Sequence, residues 1–172
     1  MKRLSLLCLF GILMLIHSSC NKDENNEPGT IPGTWKITDI HIDDGISAVT
    51  VAGQTIAYPY TIRGKNLNTS TTFTENPNEY TSTGYYTSVT VIDYSGIKDT
   101  TEVLITASPG TGTWNLNGAT FTEMFGGNTY VHEVLEFTQS RLELRENIDI
   151  TSNNNGTIVH NTGSLYSTLE KQ

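Results

Sequence analysis

The sequence predicts an all-β domain: an up-and-down antiparallel β-barrel of about eight to ten strands, with a β-sandwich as the alternative. Three observations predict it. The chain beyond Gly33 is rich in threonine, valine, isoleucine and tyrosine, which suit a pleated, half-buried surface. No stretch of roughly ten residues there places apolar side chains at helical spacing. Short β-like runs recur with turn signals between them.

Residues 34–42 open the domain. Residues 55–63 follow, and Pro59 marks that run as an edge or a bulge, since proline has no N–H to give a ladder. Residues 71–74 lead through Glu75-Asn76-Pro77-Asn78 into 80–83. Residues 84–93 form a long run, and 101–106 come next. Residues 112–116 and 119–125 are joined by Asn117-Gly118, the pair that suits a type I′ hairpin turn. Residues 129–137 meet 142–150 across Thr138-Gln139-Ser140-Arg141. Asn155-Gly156 turns the chain into 157–160, and 164–169 end it. Hairpins between sequence neighbours make a meander, and closing the meander removes its exposed edges.

The first residues read as a processing segment. Lys2 and Arg3 precede an uncharged apolar run over 4–16, the anatomy of a secretory signal. That run is too short to cross about 30 Å of hydrocarbon, which takes roughly 20 residues. Ser18 and Ser19 then lead to Cys20. Small residues before a cysteine at such a place resemble the lipobox of bacterial lipoproteins, although His17 stands where that motif usually has leucine. The resemblance implies cleavage before Cys20 and acylation of that cysteine. Each buried CH₂ contributes about 0.8 kcal/mol, so two or three chains anchor a protein stably where one does not. The expected organisation is a signal peptide over 1–19, a lipidated flexible tether over 20–32 and a barrel domain over 33–172. Within the charged tether, Lys22, Asp23 and Glu24 resemble the surface-export signal of Bacteroidetes lipoproteins. That resemblance implies an outer-membrane protein displayed at the cell surface, the alternative being a periplasm-facing anchor.

Composition narrows the partners. The chain carries a formal charge of −8, and loss of Lys2 and Arg3 with the signal takes it to about −10. Such a domain offers no basic patch for nucleic acid and no basic face for anionic lipid. Both cysteines, Cys8 and Cys20, precede the domain, so no disulfide is expected to staple it.

Gly33-Thr34-Trp35 resembles the Gly-x-Trp signature that opens lipocalins. Gly112-Thr113-Trp114, and Leu135-Glu136-Phe137-Thr138 with Arg141-Leu142-Glu143-Leu144, are similar to pieces of the lipocalin-like domain lipoproteins of Bacteroidetes. The similarity extends loosely over 31–169. It implies that Trp35 lies at the closed end of the barrel under a late-strand arginine, Arg145 in preference to Arg141, in a structural role. It also implies a small hydrophobic or amphipathic ligand.

No catalytic constellation is present in the sequence: no His-Glu-x-x-His, no Gly-x-Ser-x-Gly, no phosphate loop and no cysteine nucleophile in the domain. The chain is therefore not expected to be an enzyme, and no cofactor or metal is expected. His41, Asp43 and Asp44 precede Gly45 and read as a solvated turn rather than a metal site. His132, Glu133 and Glu136 read as polar members of a strand that face water. The aromatic set is the best lead. Tyr58, Tyr60, Phe73, Tyr85, Trp114, Phe121 and Phe137 are the candidate ligand-binding residues; Tyr85 and Tyr86 are neighbours, so one of them points in and the other out. An eight-stranded barrel encloses either side chains or one small ligand. The competing expectation is a solid barrel whose surface contacts a glycan or host protein. Asp99-Thr100-Thr101 resembles the Bacteroidetes O-glycosylation acceptor, which makes Thr100 a candidate modification site.

Overall fold

Alternation of β-branched and polar residues pairs this chain into nine antiparallel strands in a computed structural model that describes residues 29–172. Cys20, Lys22, Asp23 and Glu24 lie outside the described residues. The strands are β1 (Gly33–Val51), β2 (Gln54–Thr74), β3 (Glu79–Tyr94), β4 (Ile97–Thr106), β5 (Gly112–Asn117), β6 (Thr120–Phe125), β7 (Asn128–Phe137), β8 (Arg141–Asn154) and β9 (Thr157–Lys171). Eight of them close a ring in the order β1-β2-β3-β5-β6-β7-β8-β9, and β9 pairs back onto β1. The ninth, β4, hangs on the outer half of β3. The fold is therefore the antiparallel barrel, and not the sandwich.

Several runs that read as separate strands are single long ones. Residues 55–63 and 71–74 belong to one strand, β2, which continues through an irregular register between Lys65 and Asn68. The expected turn at Asp43-Asp44-Gly45 is a bulge inside β1, not an end. Gly45 is there because Tyr60 lies across it: a Cβ at that position would sit 2.5 Å from the tyrosine ring. At Gly84 the chain bends without leaving β3. Its φ is +95°, and a Cβ would meet the Asn68 carbonyl oxygen at 1.7 Å. Bulges and glycine bends curve long strands without ending them, which is what closure of a barrel requires.

The core fills one end of the ring. Trp35, Phe121 and Leu142 are fully buried, joined by Phe73, Trp114, Leu144 and Leu169. Phe73 meets Phe121 and Trp114 edge-on, with centroids 5.8 and 6.1 Å apart, the geometry aromatic quadrupoles favour. Ile31, within the segment expected to be tether, is buried in the same core. Its carbonyl accepts a 2.7 Å hydrogen bond from the Trp35 indole N–H.

Trp35 is fully buried in this core, and Arg145 does not cover it. Lys171, opposite Trp35 in the β1–β9 ladder, holds its ammonium 5.2 Å from the indole centroid. Strand alternation explains the correction. Leu142 and Leu144 point inward on β8, so Arg141 and Arg145 point outward. Arg145 pairs with Glu133, and Arg141 with Glu136 and Glu143.

Candidate ligand-binding site

Unequal strand lengths leave the barrel open opposite the core. Strands β1, β2, β3, β8 and β9 run for 14 to 21 residues, whereas β5 and β6 have only 6 each. The β7–β8 ladder stops at Glu133 and Arg145, while β8 and β9 stay paired to Asn154 and Thr157. On β3, residues Glu79 and Tyr80 pair with β5, and Tyr85–Tyr94 pair with β4. The result is a cup with a high wall of long strands and a low lip of short hairpins.

Two neighbouring stretches of the inner face are hollow. A cavity of about 340 Å³ lies directly on the core, walled by Ile37, Phe73, Phe121, Phe125, Leu144 and Leu169. A trough of about 540 Å³ lies along the high wall, lined by Ile40, Ile42, Tyr60, Ile62, Tyr86 and Ile148. Successive inward residues of β8 pass from one to the other: Leu144 and Glu146 line the lower cavity, Ile148 and Ile150 the upper trough. Volumes of this order suit small organic ligands.

A polar belt lines one side of the lower cavity. His132 is only 8% exposed and sits between two carboxylates. Its Nε2 lies 3.3 Å from Glu123 Oε2, and its Nδ1 lies 3.7 Å from Glu146 Oε2. The Nε2 contact is near enough for charge attraction but is not aligned as a hydrogen bond, so that nitrogen is unsatisfied. Thr69 Oγ1, on the same cavity and 6% exposed, likewise makes no hydrogen bond. Burial pushes the Glu146 carboxyl up; His132 opposes this and Glu123 adds to it. Burial, with the charge of Glu123, pushes the Tyr80 phenol up to about 12. Among the described residues, no lysine or arginine lines either hollow. Also among them, no group of three or more His, Cys, Asp or Glu side chains is arranged to hold a metal.

The aromatic candidates divide. Phe73 and Phe121 line the lower cavity and Tyr60 the upper trough. Trp114 belongs to the floor beneath, its indole N–H donating to the Thr74 carbonyl at 2.9 Å. Phe137 packs on the core from the side and lines neither hollow. Tyr58 meets Tyr94 edge-on at 4.7 Å, beyond the lined surface. Tyr85 is on the outside, 44% exposed; Tyr86 takes the inward place. Thr100 is exposed on β4.

His132 was expected to face water and instead faces inward. It pairs across the ladder with Phe121, which is core, and cross-strand partners share a face. The inward places of Glu123, two residues after Phe121, and Glu146, two after Leu144, follow from the same period of two. His41, Asp43 and Asp44 do not converge. His41 Nδ1 lies 2.6 Å from Asp39 Oδ2, Asp43 pairs with Arg63, and Asp44 accepts from the Ser164 N–H at 2.9 Å.

A β-barrel sealed at one end by aromatic packing and hollow at the other defines a class of container able to hold one small ligand. The model of the lipocalin-like domain family matches residues 31–144, more than half of the chain, and the chain belongs to that family. The matched region ends within β8, and the last strands complete the ring beyond it. No curated protein and no solved structure matches the chain.

Proposed function

We propose that this protein is a lipid-anchored, surface-displayed lipoprotein of the Bacteroidetes type whose lipocalin-like domain binds one small amphipathic ligand inside its barrel. The observation that carries the ligand reading is the hollow above the core. About 340 Å³ of space is walled by Phe73, Phe121, Phe125, Leu144 and Leu169 and edged by buried polar groups. Apolar walls with a few convergent polar atoms are what a small-molecule site needs. A solid barrel would fill that space with side chains. The fold family also favours binding over catalysis.

The anchor reading rests on Cys20 after its apolar segment, and the surface reading on Lys22-Asp23-Glu24. Native mass spectrometry of the protein extracted from its own host tests the ligand: a retained non-covalent mass is expected, and it disappears when Ser167, which lines the cavity, is changed to Trp. A protein carrying only its acyl chains, in wild type and variant alike, contradicts the ligand reading. Protease shaving of intact cells tests display: loss of the domain is expected, and its survival rejects the surface reading.

A further inference from the structure

We propose that the belt formed by Glu123, His132 and Glu146 selects a small hydrophobic amine, whose ammonium sits among these three side chains while its apolar body occupies the cavity on the core. This deepens the ligand reading given above and rests on it.

Charge balance is the first argument. The belt holds two carboxyl groups and one imidazole, and among the described residues no lysine or arginine lines the cavity. Two carboxyl groups face a single imidazole, so the belt offers more negative than positive capacity, and a monocation complements it. Buried carboxylates are costly unless paired, so a cationic group arriving there meets acceptors already stripped of much of their water. Charge-assisted hydrogen bonds to carboxylate are among the strongest available to a ligand.

Unused polar capacity is the second and independent argument. His132 is more than nine-tenths buried and its Nε2 has no hydrogen bond. Thr69 Oγ1, equally buried on the same cavity, has none either. An ammonium supplies N–H donors, and Thr69 Oγ1 and the carboxylate oxygens are acceptors. The walls supply the rest of the match. Tyr80 and Tyr130 line the cavity with the acids, and aromatic faces attract cations. Phe73 and Phe121 provide the apolar seat.

The experiment compares three compounds of one shape in calorimetric titrations of the purified full chain: 2-phenylethylamine, 2-phenylethanol and 3-phenylpropanoate. The amine is expected to bind at least about tenfold more tightly than the alcohol, a difference of about 1.4 kcal/mol, with the carboxylate weakest. Glu123→Gln and Glu146→Gln are each expected to reduce that preference toward unity while alcohol binding persists. Equal binding of amine and alcohol by the wild-type protein overturns the amine selection and leaves the cavity reading standing. An amine preference that both variants retain overturns the assignment to this belt. Binding of none of the three overturns this proposal together with the cavity reading.

Discussion

His132 meets Glu123 on one side and Glu146 on the other, and the stability of the fold should register that arrangement. Burial raises the Glu146 carboxyl above its ordinary value of 4.5, so the folded state favours the proton. A group of this kind contributes stability fully below its unfolded pKa and loses it as pH rises through the folded value. Glu146→Gln keeps the shape and drops the charge. Its stability relative to wild type should therefore rise in thermal melts as the pH climbs above the ordinary carboxyl value of 4.5. A difference that stays constant over that climb would contradict the assignment. At the closed end, Lys171 rather than Arg145 covers Trp35, and its ammonium also donates to the Thr30 carbonyl at 2.7 Å. Lys171→Ala should cost about 1 kcal/mol in denaturant unfolding, from the lost cation–π and hydrogen-bond contacts. Arg145→Ala, which removes an exposed pair with Glu133, should cost less than Lys171→Ala. The reverse order would restore the arginine to the role implied by the resemblance.

The elements depend on places where a strand bends yet continues. Gly84 is the sharpest, with φ at +95° and the Asn68 carbonyl oxygen where a Cβ would be. Gly84→Ala should destabilise by more than about 1 kcal/mol, since the strained φ and the backbone clash act together. Measurement by denaturant unfolding checks it, and an unaffected midpoint would contradict the close approach of the Asn68 carbonyl to Gly84. That bend marks where sequence reading ran short. Turn pairs with no competing partner were legible: Asn117-Gly118 joins β5 to β6 and Asn155-Gly156 joins β8 to β9. Interior glycines were not, because Gly45, Gly84 and Gly163 look like turn residues until register shows a neighbouring strand pressed against them. Register also decided the site. Phe121 and Leu144 were recognisably apolar, and a period of two from them places Glu123 and Glu146 inside. His132 needed its cross-strand partner, which composition does not supply. The choice between Tyr85 and Tyr86 likewise turned on parity, and parity is fixed only once the pairing is known.

At the scale of the molecule, the barrel's asymmetry joins fold to function. Long strands raise one wall, short hairpins lower the other, and the hollows that result carry apolar surface, with an acidic belt on one side of the lower one. The core at the opposite end seals the floor through Trp35, Phe121 and Leu142. The acidic chain, at −8 overall, presents the same sign of charge inside as outside. The cavity on the core should take up a small amphipathic ligand. The most direct test is nuclear magnetic resonance of the labelled full chain titrated with 2-phenylethylamine. Resonances of Ile37, Phe121, Leu144, Leu169 and the His132 imidazole should shift together and saturate, while those of outward Val131 and Leu135 stay in place. Shifts confined to the outer face, or none up to millimolar ligand, would contradict it.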